Sequence, residues 1–88
     1  MPYIKKENRI KFNIQELQKT GLACENAGDL NYVLTIIILS YLNKKGLARY
    51  QDYNDVLGVL TAIIQELYRR YIAPYEDKKI VENGDVDE

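Results

Sequence analysis

The sequence predicts an all-α fold: an antiparallel pair of long helices, a short helix before them, ordered extensions at both ends, and a dimeric helical bundle as the assembled form. Three observations lead there. Residues 30–45 contain no Pro or Gly and are followed by Gly46, a run too long for an ordinary strand. Val56, Leu60, Ile63, Leu67 and Tyr71 recur at spacings of 4, 3, 4 and 4, which draws one stripe along a helix. The whole chain has 88 residues, enough for one small domain that buries roughly 60–65% of its extended surface in a thin core.

Residues 1–12 mix apolar and charged side chains without a period and read as an extended basic arm, with Tyr3, Ile4, Ile10 and Phe12 able to dock on the body. A single helical domain follows over 13–81. Asn13 suits a helix N-cap, with Glu16 three residues on as the return half of a capping box. Ile14, Leu17 and Leu22 give this first helix an apolar side, and Gly21 ends or interrupts it. For the second helix Asp29 is the expected N-cap. Lys44 and Lys45 in its last turn and Gly46 beyond are stop signals. Its apolar positions (30, 33, 34, 36–39, 41 and 42) lie nearly all round, so it must be covered on more than one side. The third helix is expected to take Asp52 as N-cap and Asp55 at the third position. It should stop near Ala73, because Pro74 has no N–H and biases its predecessor away from helical geometry. Pro74 can then open a final turn containing Glu76 and Asp77. Residues 82–88 form an acidic turn and tail, with Asn83-Gly84 as a tight turn.

Composition removes most chemistry. With 12 basic and 13 acidic residues the formal net charge is -1, which offers nucleic acid or anionic lipid no bulk attraction. Charge is unevenly placed: +3 over residues 1–19 and -4 over 71–88. The absence of histidine excludes a His-based triad and the HExxH zinc motif. There is no GxGxxG or Walker phosphate loop. A divalent-metal hydrolase built on helices wants about four facing carboxylates, whereas the long helices offer Asp29, Asp52 and Asp55 near their starts and Glu66 alone further in. No enzyme, cofactor or metal is therefore expected. Charges stand where a secretory leader is apolar, and the most apolar run is shorter than the ~20 residues of a membrane helix. A cytoplasmic protein with Cys24 as a reduced thiol is the expectation.

Two features point to binding. Eight tyrosines stand against one Phe and no Trp, and a ring with a hydroxyl suits half-buried seams and interfaces. Tyr68, Tyr71 and Tyr75 follow the stripe toward Pro74. Arg69 and Arg70 bring planar forks suited to carboxylate or phosphate; one is expected to reach Glu76 or Asp77 across the Pro74 bend. The leading reading is a non-enzymatic protein-interaction module that self-associates and meets an unidentified protein partner. The alternative is a small anionic ligand or nucleotide held at the arginine pair. Nucleic-acid binding through Lys5, Lys6, Arg9 and Lys11 ranks third, since no helix-turn-helix signature is present.

Three strings carry a resemblance: Gly28-Asp29-Leu30-Asn31-Tyr32, Glu66-Leu67-Tyr68-Arg69-Arg70, and Pro74-Tyr75-Glu76-Asp77-Lys78-Lys79-Ile80-Val81-Glu82-Asn83-Gly84-Asp85-Val86. Over residues 28–86 the chain resembles a family of small proteins encoded by bacteria and their phages, in which a G-[DE]-L-N-Y segment opens the long helix and A-P-Y-E-D-x-K-I-x-E-N-G-D-V closes the domain. The family brings kinship and no mechanism. The resemblance implies weight for Asn31, Arg69, Glu76, Asp77, Asn83 and Asp85. Asp87 stands where family members often carry Tyr. With Tyr68, Arg70 and Tyr75, these residues are the candidate interaction set.

Overall fold

A computed structural model describes residues 3–44 and 46–87. Met1, Pro2, Lys45 and Glu88 lie outside them, and so do the start of the arm, the second lysine of the stop signal and the last carboxylate of the tail. Every regular element among the described residues is helical: α1 (Lys6–Arg9), α2 (Ile14–Ala23), α3 (Ala27–Asn43), α4 (Tyr50–Leu67), a π-helical segment (Tyr68–Ile72) and α5 (Ala73–Asn83). The chain divides into two compact units, Tyr3–Val56 and, among the described residues, 57–87.

In the first unit, four residues of the expected extended arm form the single helical turn α1, where the Arg9 Nε donates to the Ile4 carbonyl at 2.8 Å. Asn13 caps α2 as expected, its side chain accepting from the Glu16 N–H at 3.1 Å. The Glu16 carboxylate turns outward to Lys19 at 3.4 Å. Gly21 does not stop α2, which runs two residues further. The expected caps of the long helices are shifted. Asn26, and not Asp29, caps α3: its Oδ1 accepts from the Asp29 N–H at 2.9 Å, while Asp29 reaches back to the Glu25 N–H at 3.0 Å. Asp52 does the same three residues into α4, accepting from the Arg49 N–H at 2.9 Å. Both aspartates sit one turn inside, where an acid also meets exposed N–H groups and the positive end of the helix dipole. Gly46, with φ of 93°, takes the left-handed conformation that the stop after α3 requires.

In the second unit the expected stop at Ala73 is replaced by a change of pitch. Pro74 has no N–H for the carbonyl four residues back, and in a regular α-helix its ring would crowd that carbonyl. The backbone widens instead: the Ala73 N–H donates to the Tyr68 carbonyl, five residues back. Pro74 then lies in the first turn of α5, where a missing donor costs little. Helix thus continues to Asn83. Gly84, at φ 89°, closes it by donating to the Ile80 carbonyl at 2.8 Å.

The expected thin core is absent. None of the described residues is buried in either unit. Val33, Ile38 and Leu42 of α3 and Leu60 of α4 are half-buried, whereas Leu34, Ile36, Ile37 and Leu39 are exposed. An apolar girdle this wide has more sides than its own unit covers.

Candidate interaction site

The candidate residues fall into both units. Asn31 lies in α3, where the Thr35 hydroxyl donates to its carbonyl at 2.7 Å and to its Oδ1 at 3.1 Å. Ser40 likewise donates to the Ile36 carbonyl at 2.8 Å. The two hydroxyls in the apolar girdle are thus satisfied inside their own helix. Each donor stays satisfied if that part of the helix is covered.

The other candidates sit along 66–85. Glu66 is the hub. Its side chain is 14% exposed and accepts from Arg69 at 3.2 Å and from Arg70 at 3.5 Å. Residues three and four apart share a helix face, and one carboxylate therefore draws both guanidinium groups back along the helix. Arg70 also lies over the Tyr71 ring, 5.8 Å from its centroid. Glu76 bears on the Tyr68 hydroxyl and perturbs its phenol.

The π-helical segment explains that pairing. Two α-helical turns take 7.2 residues, and the wide turn adds about one more. Residues eight apart across it therefore fall into line, and Tyr68 and Glu76 are eight apart. The hydrogen bond to Glu76, its negative charge, partial desolvation and the charge of Asp77 together raise the Tyr68 phenol above its ordinary range. The same extra residue puts Leu67 and Ile72, five apart, on one side, so the apolar stripe of α4 passes into α5. Lys79 lies over the Tyr75 ring, 5.6 Å from its centroid, and pairs with Glu82 at 3.1 Å. Asn83 ends α5, and the Asp85 side chain accepts from the Val86 N–H at 2.7 Å.

Sequence reasoning placed Tyr68, Arg69, Arg70 and Glu76 on one short stretch. It missed Glu66 as their centre. The available signal was a glutamate three and four residues before the two arginines.

Residues 1–86 match the model of a family described as a domain of unknown function (DUF6899). The chain belongs to the DUF6899 family. The match takes in the basic arm as well as the strings at 28–86. No curated protein and no solved structure matches the chain. Among the described residues of this DUF6899 chain, no group of three or more His, Cys, Asp or Glu side chains is placed to hold a metal. No helix among them is long and apolar enough to cross a membrane.

Proposed function

We propose that this DUF6899 chain is a non-enzymatic, self-associating helical module that acts in the cytoplasm through protein contacts. In the assembled form α3 and α4 run antiparallel, and two copies make a dimeric helical bundle. The observation that carries the reading is the surface of α3. Leu34, Ile36, Ile37 and Leu39 are between 44 and 50% exposed, and the hydroxyls of Thr35 and Ser40 donate to carbonyls of their own helix. A soluble protein rarely leaves so apolar a helix open to water on several sides unless a partner covers it. A second copy is the simplest partner, since it is present wherever the protein is made. The tyrosines of α3 and of the π-helical region, all about half exposed or more, suit the seam of such an assembly.

Sedimentation equilibrium of the full chain from nanomolar to high micromolar concentration tests this. A mass of twice 10.2 kDa, or a higher multiple, is expected. A single species of 10.2 kDa across the range contradicts it.

A further inference from the structure

Resting on the self-association just proposed, we infer that the acidic tip of one copy, Asp85-Val86-Asp87, seats in the basic arm of the other, in the hollow at residues 10–15. Charge is the first argument. Lys5, Lys6, Arg9 and Lys11 against Glu7 give residues 3–12 a charge of +3. Five carboxylates against Lys78 and Lys79 give residues 76–87 a charge of -3. Every residue of both segments is exposed. Equal and opposite charge on two open segments steers them together and sets which end meets which.

Apolar surface is the second argument, because each charged segment carries some. Ile10, Phe12 and Ile14 line an open hollow together with Lys11, Asn13 and Gln15. The Lys11 ammonium lies over the Phe12 ring, 5.3 Å from its centroid, which keeps its charge beside that apolar lining. The tip has the complementary make-up: Val86 is fully exposed between two aspartates. Gly84, at φ 89°, turns the chain out of α5 ahead of it. The Val86 N–H already donates to the Asp85 side chain at 2.7 Å, so seating the valine strands no donor there. A valine in an apolar hollow with carboxylates beside lysine satisfies both segments at once.

Symmetry favours a second copy as the occupant. An exposed ion pair alone contributes little, and a contact this small needs repetition. In a two-fold dimer each arm meets the other copy's tip, so the contact forms twice. Once the first has formed, the second closes at a raised effective concentration. The α3 surface then supplies the association, and the arm–tip contacts fix its direction.

The test uses disulfide trapping in full-length chains with Cys24→Ser. A chain carrying Ile10→Cys, mixed at high micromolar concentration with one carrying Val86→Cys and mildly oxidised, should give the mixed disulfide well in excess of either like-with-like product. Molar salt should cut the yield about threefold or more. Lys11→Glu in the first chain should do the same, and Asp85→Lys with Asp87→Lys in the second should restore it. A chain carrying both cysteines should be locked as a dimer. A ring-closed monomer would put the tip in its own arm and overturn the assignment. Mixed and like-with-like products in statistical proportion, indifferent to salt, would also overturn it. In both cases a sedimentation mass of twice 10.2 kDa for the unmodified chain leaves self-association standing, and a mass of 10.2 kDa at every concentration removes both readings.

Discussion

α3 and the helix that runs from α4 through the π-helical segment into α5 solve the problem of an exposed helix in opposite ways. Among the described residues, α3 carries no ion pair, and its hydroxyls bond inward. Its apolar residues lie on every side, so nothing within the helix distinguishes a water face from a core face. The second region is amphipathic. Glu66 with Arg69 and Arg70, and Lys79 with Glu82, supply its polar flank, and Leu60, Leu67 and Ile72 its stripe. On the proposed reading α3 depends on cover from elsewhere, while the second helix provides much of its own solvation. Perturbing α3 should therefore cost far more than breaking any ion pair.

The largest expected effect is at Ile37, which is 50% exposed in the single chain. Ile37→Asp carries a lone carboxylate into an apolar interface, at a cost on the order of 3 kcal/mol or more. Loss of the dimer by sedimentation and loss of helical signal are expected together. If α3 faces water, the same change is neutral and only raises solubility. Next is the start of α3. Asn26→Ala removes the cap and should cost about 1 kcal/mol in urea unfolding, and more than Asp29→Ala, because Asn26 accepts from within the helix.

A smaller effect is expected on the second helix. Glu66→Gln weakens both arginine pairs, but the guanidinium side chains are 68 and 50% exposed. Solvent screening leaves about 0.5 kcal/mol, most of it lost at high salt. A cost above about 2 kcal/mol would mean that Glu66 is enclosed in the assembly and would erase the contrast between the regions.

The smallest effect on stability is at Tyr68, and it sharpens the account of the π turn. The raised phenol keeps its proton longer in the folded chain than in the unfolded one. Its contribution is therefore fully present below the ordinary tyrosine value of 10.0 and fades as pH rises through the higher folded value. A titration of tyrosinate absorbance should show one late tyrosine that Tyr68→Phe removes. Pro74→Ala, which restores the N–H and allows a regular helix, should bring the same tyrosine back to the ordinary range by putting Tyr68 and Glu76 out of line. A late phase that survives Pro74→Ala would show that the wide turn does not make the contact.

What was legible in the sequence follows the physics of local signals. The helical state of 36–38, the Asn13 cap and the glycine stop at Gly46 were readable because periodicity, side-chain capping and positive φ act within a few residues. Asp29 and Asp52 were misread because an aspartate at the cap and one a turn inside answer the same unpaired N–H groups. The backbone beyond Pro74 was misread because a proline can be met by stopping the helix or by widening one turn. The five-residue spacing of Leu67 and Ile72 is the sign of the second course. The missing core was legible only in part: the near-continuous apolar girdle of α3 asks for cover on more than one side, but apolar content measures how much surface wants cover and does not say what provides it.

The most direct test places a reporter thiol on α3. With Ile37→Cys in a Cys24→Ser background, the rate of reaction with a water-soluble thiol reagent is measured as a function of protein concentration. A slow reaction at high micromolar concentration that quickens on dilution is the result predicted if a second copy covers this face. A rate as fast as that of a free thiol, unchanged from nanomolar to high micromolar, would contradict it.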